Sequence, residues 1–144
     1  MAQIIQAKIV VAGRSNKDIL ARGRLLLSPE PLSFWGGYDQ HSGEIIDRRH
    51  SLSGQIAKGC ILALPAARGS STTTAVLLEA TRNDTAPAAI LTSGVDTFFT
   101  LASIVADELY GKPVTIAALE AGQFDHLRHG ETAALFRNGE IHLA

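Results

Sequence analysis

Pro65-Ala66-Ala67-Arg68-Gly69-Ser70-Ser71-Thr72 joins a short apolar run to a stretch with helical spacing. A helix start offers unpaired N–H donors and the positive end of the helix dipole, and a glycine allows close backbone approach. An anion, or an oxyanion formed during a reaction, is therefore stabilised at such a junction. Ser70 or Ser71 serves equally well as an ordinary helix cap. No histidine follows within a few residues, and the segment does not spell Gly-x-Ser-x-Gly, so a hydrolytic triad is weakly supported.

A second group is Ser33-Phe34-Trp35-Gly36-Gly37-Tyr38-Asp39, aromatics set around a diglycine. Such a cluster either covers a ligand pocket or pins its loop to the core, and composition does not choose between the two. The run Asp47-Arg48-Arg49-His50 could meet a carboxylate or a phosphate, or be a solvated loop. Of the 5 histidines, only His126 and His129 stand at helical i, i+3 spacing, without a placed acidic third ligand, so a metal site in this chain is not expected. The single cysteine, Cys60, reads as a structural thiol in a buried strand. One cysteine excludes both an internal disulfide and a metal cluster held by this chain's own thiolates.

The elements that must position these residues follow from apolar patterning. Of the 144 residues, 46% are hydrophobic and 19% charged, enough apolar surface to drive the folding of one domain spanning residues 1–144. The net charge is -1, so no basic excess exists to displace counterions from nucleic acid. The longest apolar runs fall short of the roughly 18 to 20 residues of a membrane span, and the N-terminus lacks the pattern of an export signal. The expectation is a cytoplasmic protein.

Residues 8–12 and 24–27 read as short strands, expected to pair antiparallel. Residues 28–58, broken by Pro29, Pro31, Gly36, Gly37, Gly43 and Gly54, read as a long loop with short strands such as 43–47. A connection of that length in a compact domain is usually a binding loop or a lid. From residue 59 the signals alternate: a buried strand over 60–65, a helix over 72–82 and a strand over 88–91. A second helix through Phe98, Leu101, Ile104 and Val105 is closed by Gly111 and Pro113, and a strand over 114–118 follows. Alternating strands and helices imply a parallel sheet with right-handed crossovers. Residues 132–136 and 140–143 flank Asn138-Gly139, a dipeptide suited to a type I′ hairpin turn. The expected architecture is α/β with three layers, β/β/α, and a closing C-terminal β-hairpin, rather than a doubly wound sheet.

Taken together, Ser33-Phe34-Trp35-Gly36-Gly37-Tyr38-Asp39, Gly43-Glu44-Ile45-Ile46-Asp47, His50, Gly54, Gly59, Leu62, Pro65, Arg68-Gly69-Ser70-Ser71 and Ala86-Pro87-Ala88-Ala89-Ile90 carry a family resemblance. In order and spacing they resemble the small subunit, or swivelling domain, of aconitase X, over about residues 5–118. That resemblance implies a swivelling β/β/α domain and a hydro-lyase that dehydrates a β-hydroxy acid. It also implies a partner, the aconitase X large subunit, which holds the iron-sulfur cluster and most of the small-molecule substrate. The heterodimer is then active only when both chains are present, with no cofactor bound by this one.

In this superfamily a serine of the swivelling domain removes the α-proton, and the matching residue is Ser70. Gly69, Ser71, Arg68, Ser33, Gly36 and Gly37 are the corresponding candidates for substrate binding. Better-known aconitases follow that serine with an arginine, whereas this chain continues Ser71-Thr72-Thr73-Thr74 and offers Arg68 on the other side. The bacterial type, acting on cis-3-hydroxy-L-proline, is favoured by the C-terminal hairpin and Trp35. The alternatives are a phosphomevalonate dehydratase small subunit and a non-catalytic anion-binding or phosphocarrier swivelling domain.

Overall fold

Ile61–Leu64 are fully buried on both faces of the strand they form, and their side chains split between two cores. Leu62 and Leu64 share one core with Leu77, Ala80, Phe99 and Ala102, whereas Ile61 and Ala63 share the other with Ala133, Leu135, Ile141 and Leu143. Because strand side chains alternate in direction, one central sheet must lie between helices on one face and further strands on the other.

The computed structural model describes residues 3–68 and 71–144. In chain order the elements are β1 (Gln3–Gln6), β2 (Lys8–Val11), β3 (Ile19–Leu27), β4 (Ile61–Leu64), α1 (Ser71–Arg82) and β5 (Ala89–Ser93). They continue with α2 (Thr97–Tyr110), β6 (Thr115–Leu119), α3 (Ala121–Phe124), β7 (Thr132–Phe136) and β8 (Glu140–Leu143). The strand order is β1-β8-β7-β3-β4-β5-β6-β2. Strands β3, β4, β5 and β6 run parallel, while β7, β8 and β1 on one side and β2 on the other are antiparallel to their neighbours. This is the expected β/β/α arrangement.

Three local expectations are corrected. The first two strands of the sequence reading do not pair: β2 lies against β6, and β3 lies between β7 and β4. Leu25 belongs to the strand-side core and Leu26 to the helix-side core, so β3 must be central. The polar stretch after β2 is instead held at the β6 edge, where Gly13 N–H donates to Thr115 Oγ1 at 2.8 Å. Cys60 precedes its strand, is half-buried, and donates its thiol to Ile56 O at 3.4 Å.

The C-terminal hairpin forms, but with another turn. Gly139 N–H donates to Phe136 O at 2.9 Å, so the chain reverses over Arg137 and Asn138. Gly139 has φ 93°, and among the described non-glycine residues only Asp84 has positive φ. Asn138 is thus not left-handed, as a type I′ turn would require; the glycine takes the left-handed place of a three-residue bulged loop. Gly139 O accepts Ala7 N–H at 2.8 Å, which brings Ala7, the single residue between β1 and β2, against the hairpin.

The 28–58 segment is irregular, as expected, and touches itself and its neighbours through isolated bridges, Leu32 to Ala67, Tyr38 to Ile45 and Glu44 to Ile56. Its apolar residues Phe34, Tyr38, Ile45, Leu52 and Ala57 complete the helix-side core. Among the described residues no helix is long and apolar enough to cross a membrane.

Candidate active site

The turn between β4 and α1 is clamped from both sides. Pro65 O accepts Ser93 N–H at 3.1 Å, and Arg68 N–H donates to Leu32 O at 3.1 Å. Asp96, buried at the start of α2, divides its carboxylate: Oδ1 accepts Phe99 N–H at 2.9 Å and caps that helix, while Oδ2 accepts Ala67 N–H at 2.8 Å. Inside α1, the buried Thr73 hydroxyl donates to Arg68 O at 3.3 Å. Four separate elements thus fix residues 65–68, the approach to the candidate serine. Gly69 and Ser70 themselves lie outside the described residues. Ser71 is the first residue of α1, whose first turn has no acidic side chain to oppose the positive dipole end.

Beside this turn a cleft of about 450 Å³ opens between residues 30–33 and 47–50. Arg68 and Ser33 line it, as do Glu30, Asp47, Arg48, Arg49 and His50. Arg48, Arg49 and Arg68 are all exposed, and none forms an ion pair among the described residues. Three guanidiniums and two carboxylates thus line one small volume, which leaves it a net positive charge.

Gly36 and Gly37 do not line that cleft. Gly37 is buried, and a Cβ on it would overlap the Ser33 carbonyl oxygen, while Gly36 has φ 75° and open space around it. Their task is the tight turn that follows Ser33, where Gly37 N–H donates to Phe34 O at 3.3 Å and Gly37 O accepts Ile46 N–H at 2.9 Å. The aromatics divide. Phe34 stacks on Tyr38 at 4.6 Å and meets Phe99 edge-on at 5.1 Å, pinning the loop, whereas Trp35 is 68% exposed. Burial pushes the Tyr38 hydroxyl well above its usual range, so it stays protonated and donates to Thr85 O at 2.8 Å.

The run 47–50, left open between an anion site and a solvated loop, lies at the cleft. The sequence signal was available in Asp47, whose Oδ1 accepts Arg49 N–H at 3.0 Å in a local Asx turn. No signal showed that Glu30 and His50 would meet across it. His129 is used structurally, its Nδ1 accepting Leu27 N–H at 3.1 Å.

Among the described residues no group of three or more His, Cys, Asp or Glu is arranged to hold a metal. The one thiol, Cys60, is pushed up in pKa by burial, which disfavours the thiolate a cluster would need. This chain's residues do not fit an iron-sulfur cluster.

Comparison with known proteins decides the family. The family model of the aconitase X swivel domain matches residues 4–143. The chain belongs to that family. This swivel domain is 46% identical over 126 residues to the cis-3-hydroxy-L-proline dehydratase of Pseudomonas aeruginosa, covering 88% of this chain and 20% of the relative. It is 30% identical over 120 residues to the phosphomevalonate dehydratase small subunit of Methanosarcina mazei, covering 83% and 80% of the two chains. In fold it matches the crystal structure of holo-form Thermococcus kodakaraensis aconitase X with a TM-score of 0.81 at 24% identity, over 99% of this chain and 98% of the other. The swivel domain spans about a fifth of the length of the hydroxyproline dehydratases it matches.

Proposed function

We propose that this swivel domain completes the active site of an aconitase-X-type hydro-lyase that dehydrates cis-3-hydroxy-L-proline. Dehydration takes the α-proton and the β-hydroxyl; the C–H electron pair becomes the double bond and the C–O pair leaves with oxygen. Ser70 is the base that receives the α-proton. A serine hydroxyl is a poor base, and the N-terminus of α1 with Arg68 beside it favours the alkoxide by stabilising negative charge. Gly69 and Ser71, its neighbours in sequence, are the donors proposed for that oxygen, Arg68 and Ser33 face the substrate from the cleft, and Gly36 and Gly37 shape the loop that carries Ser33. The large-subunit partner contributes the iron-sulfur cluster, which when bound supplies Lewis acidity for the departing hydroxyl.

The observation that carries this reading is the cleft at the β4–α1 turn, lined by Arg68 of that turn and by the exposed Arg48 and Arg49. Identity to the Pseudomonas aeruginosa relative favours hydroxyproline as substrate. So does the lining, because Glu30 and Asp47 beside three arginines suit a zwitterion with a carboxylate and a ring ammonium. The test is Ser70→Ala in the enzyme assembled with its large subunit. We expect turnover to fall by about 10²–10⁴-fold, with complex formation and thermal midpoint unchanged. Turnover at the unaltered rate removes Ser70 from the mechanism, and turnover of phosphorylated mevalonate in place of hydroxyproline replaces the substrate.

A further inference from the structure

We infer that the cleft of Arg48, Arg49 and Arg68 is a carboxylate-binding site built by this chain alone, and that buried His50 is the positioning residue that holds Arg48 and Arg49 at its mouth. The inference rests on the proposed function only for which carboxylate is bound. The His50 side chain is 3% exposed, although both arginines before it are exposed. Its Nδ1 accepts Leu52 N–H at 3.1 Å. In a neutral ring this acceptor role places the proton on Nε2, an assignment made from the hydrogen-bond network. Nε2 faces Ser28 Oγ at 3.4 Å and Glu30 Oε1 at 4.0 Å.

Those two partners belong to the opposite wall and are themselves tied across the gap. Ser51 N–H donates to Glu30 Oε1 at 2.8 Å, and the Ser28 and Ser51 hydroxyls are 2.9 Å apart. Glu30 N–H donates to Ser28 Oγ at 3.1 Å, closing the network. Asp47 completes the arrangement by accepting Arg49 N–H on its side chain and His50 N–H on its carbonyl, at 3.0 and 3.1 Å. With both ring nitrogens engaged, His50 has no position from which to move a substrate proton. What it does is fix the backbone of 47–52 against 28–30, and so fix where two flexible arginine side chains begin.

A carboxylate fits this site better than a phosphate. Planar guanidiniums pair with either anion through two parallel hydrogen bonds, so the charge of the lining decides between them. Glu30 and Asp47 offset most of the cationic excess, which leaves a field suited to a monoanion or zwitterion.

The test uses the purified chain and needs no turnover. Nitrogen-15 spectra of the imidazole should show His50 protonated on Nε2; protonation on Nδ1 overturns the positioning role. Titration with cis-3-hydroxy-L-proline, and in parallel with acetate and inorganic phosphate, should shift the resonances of 47–50 and 68 in a saturable way. The double variant Arg48→Gln/Arg49→Gln should weaken that binding by about tenfold or more. His50→Ala should weaken it similarly, and His50→Asn, whose amide oxygen replaces Nδ1 as acceptor for Leu52, should restore it to within about threefold. Unaltered binding in the double-arginine variant overturns the site. Stronger binding of phosphate overturns the carboxylate assignment. Acetate at these arginines without hydroxyproline upholds the site while removing hydroxyproline from the proposed function.

Discussion

Leu62 in β4 and Phe34 in the 28–58 loop are both fully buried in the helix-side core, yet they are held there by different means. Leu62 sits in a strand laddered on both edges, to β3 at Leu26 and to β5 at Ile90. Phe34 sits in a segment with isolated bridges and internal backbone bonds, kept against the core by its contacts with Tyr38 and Phe99 and by side-chain bonds to distant carbonyls. The Tyr38 hydroxyl reaches Thr85 O at 2.8 Å, and Asn83 Nδ2 and Thr85 Oγ1 both reach Gln40 O, at 3.1 and 2.5 Å. The ladder ties β4 to both neighbouring strands by regular backbone bonds, whereas the loop's backbone bonds run mostly within itself and named side chains supply much of its attachment to the rest of the core. Both walls meet at the β4–α1 turn, so the candidate site stands between a regular strand ladder and an irregular segment anchored in part by single side chains.

The largest expected effect tests whether the loop is core or cover. Phe34→Ala should destabilise by about 3–5 kcal/mol, as much as Leu62→Ala at about 2–5 kcal/mol, in urea unfolding. A cost under about 1 kcal/mol would make the loop a passive covering. Next comes Asp96→Ala, which removes the cap of α2 and the partner of Ala67 N–H together. A loss of about 1–3 kcal/mol is expected, with hydrogen exchange at Ala67 accelerated more than at Leu62. Equal acceleration at both would show that Asp96 supports the whole sheet rather than the turn. Tyr38→Phe deletes one buried donor to Thr85 O and should cost about 1 kcal/mol, while near-zero cost would mean that the stack on Phe34 alone suffices.

The smallest effect is one of pH. Asp39 Oδ1 accepts His41 N–H at 2.8 Å, and this bond, with a further one from Ser42, holds its carboxyl below the usual range. A depressed folded pKa gives stability that is present above the unfolded value and lost as pH falls through the folded one. Asp39→Asn should therefore flatten the acid side of the stability curve, by no more than about 0.5 kcal/mol for so exposed a group. A stability curve of unchanged shape would show that these bonds do not distinguish the ionised form.

The same contrast explains what could be read from sequence. The strands β4, β5 and β6 are continuous apolar runs, and α2 carries its own spacing and its Gly111 stop, φ 64°, so local physics sufficed. The start of β3 was missed because Arg22, Gly23 and Arg24 interrupt its pattern, and α3, four residues long, carries no amphipathic period to detect. The partner of β2 depended on which sheet edge stood uncovered, a property of the assembled sheet. At the site, the strand before residue 65 and the helix from residue 71 were legible in residue types, while the role proposed for Ser70 rests on the family resemblance. The meeting of Glu30, His50 and Arg68 did not, because it arises only when two irregular segments are folded against one sheet.

Ala7 carries a consequence of its own. The strands on either side of it stand at opposite extremities of the eight-strand order, so the strip is fastened into a belt by a one-residue buckle. The buckle latches onto the far end of the chain, Gln6 Nε2 meeting Asn138 O at 2.9 Å across 132 positions. Loop-closure entropy weighs against a fastening of such sequence separation, and the contacts it holds in place must offset that cost. Cutting the backbone there would unfasten the belt while leaving both long helices and the arginine-lined cleft in one covalent piece.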